Sequence, residues 1–111
     1  MNDSTHIQLK KGILELCVLT LLAQNDSYGY QITSRLSQMI GIAEGTIYPL
    51  LARLERAGFI EAEWVETGLG HPRKYYTLTA AGSRRTVDMT RLWSGFTRNF
   101  DQLLLPVREK K

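Results

Sequence analysis

Between Gly45 and Thr79 the side chains able to grip a phosphate or hydrogen-bond a base edge follow one another in a definite order. Thr46 and Tyr48 come first, Pro49 follows, then Arg53 and Arg56, and after a break Arg73 and Lys74. Hydroxyls at the start of a short segment, with guanidinium groups further on, suit a helix lying in a DNA major groove. Its first turn reaches base edges and its cations reach phosphates. The other face of the segment says why it is a helix: Ile47, Leu50, Leu51 and Leu54 recur at the i, i+3, i+4, i+7 spacing of one buried stripe. Arg73 and Lys74 then fall on a hairpin, from which they can reach flanking phosphates or the minor groove.

The remaining inventory argues against catalysis. His6 and His71 have no Cys, Asp or second His at ligand spacing, so no metal site is expected. Gly68-Leu69-Gly70 lacks the third glycine and the following helix of a phosphate loop, and Glu61 and Glu63 read as a solvated strand face. No cofactor motif is present, and an enzyme is not expected.

With 111 residues the chain is long enough for one core without staples. Its single cysteine, Cys17, sits in the apolar run ILELCVLTLLA as a small hydrophobe, and no oxidising compartment is indicated. That run is shorter than the roughly 20 apolar residues that span a bilayer, and it lacks the cleavage pattern of a signal peptide. A cytoplasmic protein with no membrane contact is expected. Fourteen basic against eleven acidic residues leave a net charge of +3, too little to demand a nucleic-acid partner. The clustering of the cations near the helix and hairpin carries the argument instead.

These groups need elements to hold them. From Leu9 to about Gln24 apolar residues wrap most of the way round a helix, which must be covered on more than one side. One side meets the core, and Leu14 and Val18 are assigned to a second subunit. Asn25 to Ser27 form a turn, with Ser27 as N-cap of a helix from about Tyr28 that ends at Gly41. A third helix, Gly45 to Ala57, stops at Gly58; Pro49 early in it predicts a tight first turn. Phe59 to Thr67 alternates Ile60, Ala62 and Trp64 against Glu61, Glu63 and Val65, and Arg73 to Leu78 makes the second strand, with Tyr76 in the core. Thr79 caps a long last helix, which Pro106 ends.

The last helix carries a second pattern. Met89, Trp93, Phe96, Phe100, Leu103 and Val107 are spaced four, three, four, three and four, a heptad seam. On a lone helix this would be a large exposed apolar patch, so a second copy of the chain is the expected cover. The fold class is therefore mainly α, an α+β winged helix-turn-helix with three helices, a two-stranded β-wing and a long C-terminal dimerisation helix. Residues 1–78 form the DNA-binding unit and 79–111 the dimerisation helix.

Four segments, LKKGILELCVLTLL, SYGYQI, EGTIYPLLARLERAGFI and GHPRKYYTLT, resemble PadR-type transcriptional regulators over nearly the whole length. The chain is similar to the short subfamily, which has a single C-terminal helix. The resemblance implies a homodimeric winged-helix repressor in which Tyr30, Thr46, Tyr48 and Lys74 contact double-stranded DNA. It also implies that Trp93, flanked by Met89 and Phe96, lines a hydrophobic pore at the dimer centre that stacks a small planar aromatic effector. Two other readings stay open on the residues alone: a winged protein-interaction module, and a small-molecule-binding protein with no direct DNA role.

Overall fold

A computed structural model describes residues 13–66, 68 and 70–109. The expected start of the first helix at Leu9, the strand end at Thr67 and the last two lysines lie outside these residues. The elements run α1 (Leu14–Gln24), β1 (Ser27–Tyr28), α2 (Gly29–Ile40), α3 (Glu44–Arg56), β2 (Ile60–Val65), β3 (Arg73–Leu78) and α4 (Ala80–Glu109). This is the winged helix-turn-helix order followed by one long helix.

The core forms where the apolar stripes of α1, α2 and α3 meet the base of the sheet. Val18, Leu19 and Leu22 of α1 pack with Ile32 and Leu36 of α2, Ile47, Leu50, Leu51 and Leu54 of α3, and Ile60 and Tyr76 of the strands. Val18 is 0 % exposed within a single chain. It therefore has no surface to offer a second subunit, contrary to the sequence expectation; α1 spends its apolar circumference on the domain core and on α4. Leu14 stays partly exposed at the core's edge.

Both glycine stops hold. Gly41 ends α2 with φ 68°, and Gly58 (φ 84°) follows α3 in a Schellman turn. In that turn Gly58 N–H bonds Glu55 O at 3.1 Å and Phe59 N–H bonds Leu54 O at 3.1 Å. The first turn of α3 is tight, as Pro49 predicts, with Thr46 N–H donating to Ala43 O across three residues at 3.0 Å.

Three expectations change. Ser27 does not cap α2: it pairs with Tyr76 while Tyr28 pairs with Tyr75, adding a third strand in the order β1-β3-β2. The cap passes to Tyr28, whose N–H donates to Gln31 Oε1 at 2.9 Å. Trp64 shares a face with Ile60 and Ala62 but is 68 % exposed, because β2 outruns the core. Pro106 does not end α4, which continues to Glu109. So close to the helix end the proline forfeits one hydrogen bond, and Arg108 Nη2 reaches back to Asp101 O at 3.1 Å.

The base of α4 is fastened tightly. Thr79 Oγ1 accepts the Gly82 N–H at 3.0 Å, the expected cap, and donates to Gly58 O at 2.7 Å, while Thr79 N–H bonds Phe59 O at 3.1 Å. A Cβ on Gly82 would lie 1.9 Å from Phe59 O, so only glycine permits this approach of the helix to the turn between α3 and β2. Arg85 lies over the Phe59 ring, 4.8 Å from its centroid, and its Nε donates to Glu15 Oε2 on α1. That bond holds the guanidinium protonated above its ordinary range. Gly82→Ala should cost about 2 kcal/mol, as overpacking against rigid backbone does, and lower the melting temperature by roughly 10 °C. Thermal unfolding at fixed protein concentration checks this; an unchanged midpoint would mean that α4 docks elsewhere.

Candidate nucleic-acid interface

A groove of about 510 Å³ opens between α3, the start of α2 and the wing, the hairpin formed by β2 and β3. Tyr30, Tyr48, Arg73 and Lys74, four of the residues assigned to DNA contact, line it together with Glu55, Trp64 and Tyr76. Thr46, Pro49 and Arg53 lie on the exposed face of α3, outside the groove. Arg53 and Arg56 occupy the last turn of α3, where cations are favoured by the helix dipole.

The alternation of β3 sends its two cations to different partners. Lys74 shares a face with Tyr76 and Leu78 and stands directly across from Trp64. Its ammonium lies 5.6 Å from the centre of the Trp64 ring and 3.6 Å from Glu55 Oε1 on α3. Arg73 turns the other way and stacks on Tyr30, its guanidinium carbon 4.6 Å from the ring centroid. Tyr30 stacks on Tyr28 at 5.8 Å, and Tyr28 meets Tyr75 edge-on at 4.9 Å. The arginine thus rides on a ladder of three tyrosines running back to the sheet. A stacked guanidinium keeps its N–H groups free in its own plane, ready for a phosphate.

Tyr48 is held by a close approach. A Cβ on Gly29 would lie 3.4 Å from Tyr48 Cε1 and 3.3 Å from Tyr76 Cε2, so the glycine opening α2 gives both rings their seat. Tyr76 is 5 % exposed, a core residue as expected, and its hydroxyl pKa is raised, first by burial and then by the Glu55 carboxylate and Tyr48. Burial likewise pushes the Cys17 thiol up, away from nucleophilic use.

Four residues of this site escaped sequence reasoning: Gly29, Tyr28, Glu55 and Trp64. The SYGY run flanking a helix start carried a signal for the first two. Glu55, one turn behind Leu51 on α3, could be linked to Lys74 only through the strand register.

The opposite end of the molecule carries the heptad. Trp93 (40 % exposed), Phe96 (57 %), Phe100 (42 %) and Leu103 (70 %) leave the globular head as an apolar strip along α4. Their rings follow one another along the helix, Trp93 tilted against Phe96 at 6.0 Å and Phe96 stacked on Phe100 at 5.7 Å. Beside the strip, Ile13, Leu16, Met89, Leu92, Trp93 and Phe96 enclose a groove of about 220 Å³ between α1 and α4. Among the described residues no helix is long and apolar enough to cross a membrane.

Comparisons with known proteins agree with this geometry. A PadR-like transcriptional regulator from Bacillus cereus superposes with a TM-score of 0.79 at 33 % identity, covering 87 % of this chain and 96 % of the other. The negative transcriptional regulator PadR of Bacillus subtilis is 32 % identical over 80 residues, which are 68 % of this chain and 44 % of that protein. Its crystal structure in complex with operator DNA matches with a TM-score of 0.64 at 32 % identity, over 70 % of this chain and 46 % of the other. This chain therefore spans under half the length of the Bacillus subtilis protein. The model of the Transcriptional regulator PadR-like family matches residues 18–87, well over half the chain, from within α1 to the first turns of α4, and the chain belongs to that family.

Proposed function

We propose that the protein is a homodimeric, DNA-binding repressor that reads an inverted-repeat operator in the cytoplasm. Each protomer lays α3 in a major groove and sets its wing against the flanking backbone. The observation that carries this reading is the gathering of Tyr30, Tyr48, Arg73 and Lys74 around one groove beside the exposed face of α3. The operator complex of the Bacillus subtilis relative supports it. Residues 1–78 do the reading in this scheme and residues 79–111 the pairing. Two heads joined by one seam fit half-sites about 34–36 Å apart, one helical turn, or a multiple of it.

Pairing through α4 is the economical cover for the apolar strip from Met89 to Val107. Leu14 at the rim of α1, together with Met89, Trp93, Phe96, Phe100 and Leu103, is assigned to the subunit contact. The groove beside Trp93 is assigned to a planar aromatic effector. Met89 and Phe96 would flank its ring, and its binding would release the operator by altering the distance between the two heads.

Four variants test the scheme. Tyr48→Ala should weaken operator binding about tenfold without dissociating the dimer, while Lys74→Ala should weaken it across sequences and reduce the salt slope by about one. Gel-shift titrations at several salt concentrations read both, and unchanged affinities would remove these residues from the interface. Phe100→Asp should convert the dimer into a 12.6 kDa monomer in analytical ultracentrifugation; a dimer that survives would move the seam elsewhere. Trp93→Ala should abolish quenching of intrinsic fluorescence by planar cationic aromatics apart from the exposed Trp64 background, and a full residual quench would dismiss the effector site.

A further inference from the structure

Glu55 is an acid on the face where a polyanion is to bind. Its carboxylate lies 3.6 Å from the Lys74 ammonium, and both side chains are 37 % exposed. Trp64 closes the other side of the ammonium at 5.6 Å, and Tyr76 lies beside the same groove. The carboxylate reaches Lys74 from the reading helix, as a phosphate oxygen would reach it from the duplex. We propose that Glu55 is a built-in competitor for DNA phosphate at Lys74, an internal stand-in that lowers the affinity of the wing for duplex DNA. This rests on the assignment of the groove face to DNA.

The physical case has three parts. A half-exposed pair at this separation is weak, so a phosphate can displace it. Displacement does not remove the carboxylate: α3 fixes its backbone, and the acid remains within the field of a polymer carrying one negative charge per roughly 1.7 Å of axis. A lysine already neutralised in the free protein also contributes less to counterion release when it meets a phosphate. Because binding without sequence recognition is almost wholly electrostatic, the competitor suppresses binding to bulk DNA in particular.

The test uses the full chain and a mixed-sequence duplex of about 30 base pairs, followed by fluorescence anisotropy between about 50 and 200 mM salt. Glu55→Gln keeps the shape of the side chain and removes its charge. It should bind about fivefold tighter than the unmodified protein, with the slope of log affinity against log salt steeper by up to about 0.9. Lys74→Gln should bind more weakly, and adding Glu55→Gln to it should bring a clearly smaller gain, that of relieved repulsion alone. Glu55→Ala should reproduce the tightening, which separates the loss of charge from any effect peculiar to glutamine. Equal or weaker binding by both Glu55 variants, with salt-sensitive binding by the unmodified protein, would overturn the competitor and leave the DNA assignment standing. An equal gain in the Lys74→Gln background would overturn the part played by Lys74. Salt-insensitive or absent binding by the unmodified protein would overturn the DNA assignment itself, and the competitor with it.

Discussion

The approach of Gly82 to the Phe59 carbonyl is the constraint on which the rest of this structure depends. Three elements converge there: the end of α3 through Gly58 and Phe59, the base of the wing through Thr79, and the first turn of α4. They are tied by the backbone bond from Thr79 N–H to Phe59 O and by the short Thr79 hydroxyl, with no long flexible side chain between them. Closing the gap with a glycine leaves no room for sliding, and the Thr79 hydroxyl both donates and accepts across the junction. α3, the wing and α4 are consequently fixed in mutual orientation before any side chain at the surface is considered.

From that frame the electrostatics of the groove follow by strand geometry. Successive residues on a strand point to opposite faces, so the adjacent cations Arg73 and Lys74 cannot share a partner. One is planar and finds tyrosine rings to stack on, which fits a delocalised, weakly hydrated guanidinium. The other is a compact ammonium and finds a carboxylate with an indole beside it. Had the register slipped by one residue, the two would exchange faces and each would meet the other's partners. Pairing of β1 with β3, Ser27 opposite Tyr76 and Tyr28 opposite Tyr75, helps to pin that register.

Most of the architecture was legible in the sequence because it rests on signals local to a helix or a turn. The stripe Ile47, Leu50, Leu51 and Leu54, the stops at Gly41 and Gly58, the cap at Thr79 and the heptad on the last helix are each read from spacings of a few residues along one segment. What escaped depends on contacts between distant segments. Two residues, Ser27 and Tyr28, are too short a run to announce a strand, and only their partner β3 makes them one. Val18 looked available to a second subunit because the periodicity of an all-apolar helix cannot tell which side faces the core and which faces a neighbour. Trp64 kept the parity of a core residue but lay beyond the end of the core. Around the groove, the sequence singled out Tyr30, Tyr48, Arg73 and Lys74 for their chemistry but passed over Gly29 and Glu55, which seat or counter them. Their roles exist only once α2, α3 and the wing are assembled.

The long helix gives this arrangement its mechanical character. At about 1.5 Å per residue, 30 residues make a rod of roughly 45 Å, of which the first turns are locked into the head by Gly82, by the buried and internally bonded Thr86, and by the pair of Arg85 with Glu15. Met89 still touches the core, whereas Trp93 and the residues beyond it do not belong to it. A rigid rod anchored at one end and apolar along the other transmits tilt rather than absorbing it. In the proposed dimer the separation of the two reading helices is then set at the seam, with no freedom at the junction to compensate. A duplex offers its grooves at a fixed helical repeat, so a head mis-set by a few ångströms loses the register of its phosphate contacts before it loses any contact within the protein. Sensitivity to a small ligand wedged beside Trp93 therefore requires no change in the reading surface itself, only a seam that two close-packed apolar helices can adopt in more than one spacing.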